Sequence, residues 1–194
     1  MNYNLNQIKT VLQNKGYSYF TNGDYNLNII GIRNLRSGNI QNDLFDDELH
    51  LIYYVNNELR HHVYPITTDP GLKILQCPIN KDGTAILVPN QYKGVYQIGY
   101  HKGQYEALVQ RGNVKVYRDN NRDNVLDFSS IAEGIFGINI HKSGVDSGYV
   151  GNWSAGCQVF RKEKDFNQFM TACRKSVEIY GNKFTYTLLT SKDF

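Results

Sequence analysis

Proline is scarce in this 194-residue sequence, with four in all, and cysteine is scarcer, with three. Cys77, Cys157 and Cys173 are an odd number at no framework spacing, which argues against a disulfide scaffold and leaves at least one thiol free. No CxxC pair occurs, so a zinc or redox centre built on cysteine is not expected. Charge of one sign is also in short supply. The formal net charge is +3, and the lysines and arginines are scattered without a basic run. Neither a nucleic-acid groove nor a membrane-surface helix is expected from that pattern, and no membrane insertion. Residues 1–10 lack a positive segment followed by an apolar stretch, so no secretory signal is expected and synthesis falls to the cytoplasm.

What the chain does have is aromatic and glycine content. Fifteen tyrosines and seventeen glycines favour β-structure, because aromatic rings suit a pleated, half-buried surface. Apolar residues at 41% and charged residues at 20% are ordinary for a globular domain. The length suits a single domain over 1–194, with 1–45 as an N-terminal elaboration and about 45–190 as the functional unit. The expected class is mainly β, a β-rich α+β chain forming a sandwich or partly closed barrel with a few short helices.

Leu5, Ile8 and Leu12 predict a helix over Asn4 to Gln13, and Phe166, Phe169, Met170, Cys173 and Val177 predict another over Lys164 to Tyr180. Strands are expected at Tyr17 to Phe20 and Tyr25 to Ile32, turning at Asn22-Gly23-Asp24. A hairpin over Glu48 to Ile66 turns at Asn56-Asn57, and Thr67-Thr68-Asp69-Pro70-Gly71 breaks the chain. Short strands are expected at Leu72 to Gln76, Ala85 to Val88, Tyr96 to Tyr100, Ala107 to Arg111, Val114 to Tyr117, Ile135 to His141, Val159-Phe160 and Phe184 to Leu189.

Chemistry concentrates in Gly137-Ile138-Asn139-Ile140-His141 and Trp153-Ser154-Ala155-Gly156-Cys157-Gln158. A cysteine nucleophile needs a base to take its proton and donors for the oxyanion of acyl transfer. A strand ending at His141 would fix the imidazole, and the loop to Cys157 could return the thiol to it. The small residues before the thiol permit a tight turn, so the amides of Ala155, Gly156 and Cys157 are candidate oxyanion donors. Cys77 and Cys173 are expected in the core, like most free cysteines. The order His then Cys, sixteen residues apart, fits neither papain-like nor caspase-like enzymes.

His141 followed by Ser154-x-Gly156-Cys157 resembles the active-site signature of the L,D-transpeptidase catalytic domain. The hairpin over Leu49 to Pro65, Thr68-Asp69-Pro70-Gly71 and Gly94-Val95-Tyr96-Gln97-Ile98 resemble that family more weakly, so the likeness touches about residues 45–165. The resemblance implies a thioester formed by Cys157 on a peptidoglycan stem peptide, with His141 as base. Ser154 and Arg161 would contact substrate, Trp153 would be a pocket wall, and no cofactor would be needed. Two positions depart from the family pattern. Ala155 stands where a histidine is usual, and Gln158-Val159-Phe160 precedes Arg161 where an arginine or asparagine usually follows the cysteine more closely. These positions help hold substrate carboxylates, so transpeptidase, carboxypeptidase and endopeptidase outcomes all stay open.

Other constellations carry weaker signals. His101, at a strand end, is a second-choice base, and adjacent His61 and His62 would face opposite sides of a strand. Asp119, Asn121, Asp123 and Asp127 occupy positions 1, 3, 5 and 9 of a loop, as in calcium loops. Asn124 and Ser130, at positions 6 and 12, break the EF-hand pattern. The loop reads as a calcium site or a solvated turn. The leading expectation is a peptidoglycan-processing cysteine enzyme, reaching the cell wall by phage lysis, non-classical export or a virion. The alternative is a non-enzymatic β-rich binding or phage structural module keeping the fold without the chemistry.

Overall fold

The computed structural model describes residues 3–146 and 148–194. Its elements run α1 (Leu5–Asn14), β1 (Asn28–Arg33), β2 (Asp47–Val55), β3 (Glu58–Thr67), α2 (Leu72–Gln76), β4 (Thr84–Leu87), β5 (Asn90–His101), β6 (Tyr105–Gln110), β7 (Val114–Asp119), β8 (Ile131–Gly134), β9 (Ile140–Lys142), β10 (Gln158–Phe160), α3 (Glu163–Tyr180) and β11 (Phe184–Thr190). Eight strands close into a barrel in the order β1-β11-β5-β6-β9-β10-β3-β2, and β4, β7 and β8 make a separate small sheet. The chain is mainly β, as its composition indicates, and the barrel closes fully. Among the described residues no helix is long and apolar enough to cross a membrane.

Two parallel pairings interrupt the antiparallel pattern. β1 runs parallel to β11, and β9 parallel to β10. β1 is buried along its whole length because both its faces are covered. Ile29 points into the main core, while Ile30 and Ile32 pack with Ile8, Val11 and Leu12 of α1. The stretch 1–45 thus contributes a barrel stave as well as a peripheral helix. α1 starts at a capping box in which the Asn4 side chain accepts from the Gln7 amide and the Gln7 side chain accepts from the Asn4 amide. On the far side, α3 lays Phe166, Phe169, Met170 and Cys173 against the core, with the Phe160 and Phe169 rings 5.0 Å apart.

Local chemistry explains where expectation and structure part. The β2–β3 hairpin turns at Asn56 (φ 52°) and Asn57 (φ 62°), the left-handed conformation that asparagine tolerates. Tyr17 to Phe20, expected as a strand, joins no ladder. Side chains hold it, with Ser18 N–H donating to Gln91 Oε1 (2.9 Å) and Phe20 N–H to Asn28 Oδ1 (2.7 Å). Leu72–Gln76 is helix and not strand, since after Gly71 only Leu75 is turned fully inward. Of the expected strand Ile135 to His141 only Ile140 and His141 are strand, at the start of β9; residues 135–139 join neither sheet, and Gly137 (φ 72°) breaks the run after β8 ends at Gly134. Across that break Gln110 substitutes for a strand. Its Oε1 accepts from Phe136 N (3.1 Å) and Ile138 N (3.0 Å), and its Nε2 donates to Gly134 O (2.8 Å).

A buried polar knot ties the barrel to the loops beside β10. Arg33, fully buried, donates to Thr68 Oγ1 (3.0 Å), Thr68 O (3.0 Å) and Leu87 O (2.9 Å), and pairs with Asp69 at 2.8 Å. Asp47 accepts from Thr68 N (2.6 Å) and Asn34 N (2.7 Å). The turn so fixed carries Gly71, whose N–H donates to Ser154 O (2.9 Å).

Candidate active site

β9 and β10 pair in parallel with His141 opposite Val159, and Gln158 N–H extends the ladder to Asn139 O at 2.9 Å. Cys157 therefore stands beside Asn139, one pleat before His141. Alternation turns residues 139, 141, 157 and 159 to the outer face, while Ile140 and Gln158 point into the barrel, where Gln158 Oε1 accepts from the Tyr186 hydroxyl at 2.8 Å. Two further groups bracket the pair. Tyr105 lies against His141, its hydroxyl pushed up first by burial and then by the neighbouring Cys157, and Lys102 acts electrostatically on both Cys157 and His141.

The His141 imidazole is oriented. Its Nδ1 lies 2.8 Å from Lys142 O and 3.3 Å from the Tyr105 hydroxyl, which itself donates to Lys142 O at 3.2 Å. A carbonyl only accepts, so Nδ1 carries the hydrogen and Nε2 keeps the lone pair of a base. His101 stacks on the ring with centroids 4.0 Å apart, its Nδ1 accepting from Asn139 Nδ2 (3.1 Å). The second-choice histidine thus lies in the same site, against the first.

Cys157 is half-buried, packed beside Phe45, Val150 and Val159. Asn139 N–H donates to Sγ at 3.4 Å and the thiol donates to Gly137 O at 3.4 Å. Among the described residues no hydrogen bond joins Sγ to the imidazole. Burial pushes the Cys157 thiol up, against smaller opposing effects of the Asn139 amide and Lys102. Burial, then His101, pushes His141 down to about 3. At neutral pH the site holds a neutral thiol and a neutral imidazole, not a preformed ion pair, and both shifts oppose proton transfer from Sγ to Nε2.

A groove of about 530 Å³ opens over this face, lined by His101, Lys102, Gln104, Tyr105, His141, Lys142, Ser143, Gly144, Asn152 and Trp153. Lys142 is ion-paired to Glu163. Trp153 is partly exposed and lies over Gly144, where any Cβ would strike the indole. Trp153 thus forms part of the groove's lining.

Ser154 is fully buried and does not face the groove. Its hydroxyl donates to Cys157 O (2.9 Å) and accepts from Gly156 N (3.2 Å), so it staples the loop. That bond also occupies the Gly156 amide, one of the three expected oxyanion donors. Ala155 lines a second cleft of about 370 Å³ with Ile79, Arg118 and Phe136. Arg161 lies outside the groove, its Nε 3.3 Å from Asp146. Cys173 is buried as expected, but Cys77 is exposed, because it caps the short α2 ahead of Pro78. His61 reaches His50 (2.9 Å) while His62 stacks on Tyr53 and Tyr64, on opposite sides of β3.

The sequence reading did not single out Tyr105, Lys102 or Asn139. Lys102 and Gly103 turn tightly with φ of 49° and 71°, which brings Tyr105 back opposite His101. Asn139 stands two residues before His141, on the same face by simple alternation, and that was the available signal. The fold and site together define a closed β-barrel with a histidine on β9 and a cysteine just before the parallel strand β10, both turned to its outer face. No family model matches the chain, and neither does any curated protein or solved structure.

Proposed function

We propose that the chain is a cysteine acyltransferase or hydrolase of the L,D-transpeptidase kind, acting on peptidoglycan stem peptides. One observation carries the reading: Cys157, next to β10, and His141 of β9 are turned to the same outer face, and the Nδ1–Lys142 bond leaves Nε2 as the nitrogen with the lone pair. In the proposed reaction Nε2 takes the thiol proton as Sγ attacks a peptide carbonyl. The tetrahedral oxyanion collapses to a thioester, the C–N bond breaks, and the imidazolium returns its proton to the leaving amine. An incoming amine or water then releases the acyl group. The Ala155 and Cys157 amides are the candidate oxyanion donors, since that of Gly156 is engaged. Of the groove's basic side chains, Lys142 is paired with Glu163 and both histidines are shifted toward the neutral form, which leaves Lys102 to meet a substrate carboxylate.

The second reading is a binding or particle component that has kept the fold. It is favoured by the upward shift of the Cys157 thiol and by the engaged Gly156 amide. Muropeptide profiling separates the two. Purified wild-type protein should shorten or re-crosslink stem peptides and Cys157→Ala should not, whereas identical profiles would leave only the second reading.

A further inference from the structure

The loop joining β7 to β8 carries oxygen-bearing side chains at Asp119, Asn121, Asp123 and Asp127, the first, third, fifth and ninth of nine positions. Asp119 ends β7 and is fully buried. Its Oδ2 accepts from Asp127 N–H at 2.9 Å, but its Oδ1 is buried without any hydrogen-bond partner. Among the described residues no lysine, arginine or histidine forms an ion pair with Asp119, Asp123 or Asp127. The chain's other deeply buried carboxylates, Asp47 and Asp69, face Arg33. Buried charges are ordinarily paired or bound to metal, and Asp119 has no pair.

The loop is also a built element. Gln41 N–H donates to Asn124 O (2.8 Å), Leu126 N–H donates to Asn39 O (2.9 Å), and Leu126 is buried with Leu75 and Ile86. A solvated turn would not be anchored at both its middle and its end.

We propose that this loop binds calcium, with the orphan Oδ1 of Asp119 as its inner ligand and Asn121, Asp123 and Asp127 as further oxygen donors. Calcium takes six to eight oxygens and mixes carboxylate, amide, main-chain carbonyl and water, so it needs no tight cluster of acids. Among the described residues no three His, Cys, Asp or Glu side chains form such a cluster. Binding requires Asp127 Oδ2 to exchange its 2.9 Å bond from Asn121 Nδ2 for the ion. With Asn124 at position six and no acid at position twelve, affinity belongs to the weaker range, about 0.1–1 mM. The chain then runs through β8 to Gly137, the acceptor of the Cys157 thiol, so the ion would brace the backbone beneath that residue.

The test is thermal melting of the full chain in EGTA, in 10 mM CaCl2 and in 10 mM MgCl2, with calorimetric titration of CaCl2. Calcium should raise the wild-type Tm by about 3–8 °C, and magnesium by less. Asp119→Asn should melt no lower than wild type in EGTA, having lost a buried unpaired charge, and should not respond to calcium. If that variant does not fold, Asp123→Asn, at an exposed position, carries the test and should lose at least tenfold in calcium affinity. Identical wild-type melting in EGTA and calcium with no binding heat, a magnesium shift equal to that of calcium, or a full calcium response in the folded variant would overturn the proposal.

Discussion

His141 and Cys157 are both held electrically neutral by burial, and at the residue scale this sets the expected pH behaviour. A raised thiol pKa keeps Cys157 protonated at neutral pH, so alkylation by iodoacetamide should rise only above about pH 8.5–9, the ordinary thiol region. A midpoint near pH 7 would mean an ion pair and contradict the geometry. With His141 at about 3, its protonation should cause no loss of activity between pH 7 and pH 5. The two residues were legible in the sequence because a strand-borne histidine and a cysteine after small residues are local features. Ser154 was misread for a physical reason: its hydroxyl serves the loop backbone, and only the fold shows which way it points.

At the scale of elements, the site depends on a strand that does not run through. Residues 131–142 cross from the small sheet to the barrel, and Gln110 holds the crossing by bonding the backbone at 112, 134, 136 and 138. Gln110→Leu leaves several of those backbone groups without partners, at a cost of about 2–4 kcal/mol in urea unfolding. Amide exchange at Phe136 and Ile138 should quicken with it. Unchanged exchange there would show that the backbone finds other partners. The regular elements were readable in advance: the Asn56-Asn57 hairpin from its turn chemistry, and α3 from its apolar face. The division at Gly137 was not, since β-branched residues on both sides suggest one strand and the competing hydrogen bonds come from a side chain 27 positions away. Leu72–Gln76 illustrates the same difficulty, being too short for its periodicity to decide between helix and strand.

At the scale of the whole molecule, barrel closure rests on the parallel pairing of β1 with β11, which joins residue 29 to residue 186. No short-range pattern encodes a pairing of that span, so β1 could be foreseen as a strand but not as the closing stave. The Arg33 knot lies beside this seam with two carboxylates against one guanidinium, and desolvation raises Asp69 from 3.8 to about 7. The folded chain therefore binds a proton that the unfolded chain releases near pH 3.8. This contribution to stability is fully present below about pH 4 and is lost as pH rises through about 7. Asp69→Asn, which cannot ionise, should flatten the fall in urea midpoint between pH 5 and pH 8. An undiminished slope would assign it to other groups. The central claim is that the whole arrangement serves one nucleophile, and intact mass spectrometry tests it most directly. After incubation with soluble stem-peptide fragments and an acid quench, wild-type protein should carry an acyl adduct that maps to Cys157 and is lost in hydroxylamine. Wild-type protein that stays unmodified and leaves the peptides intact would contradict the account.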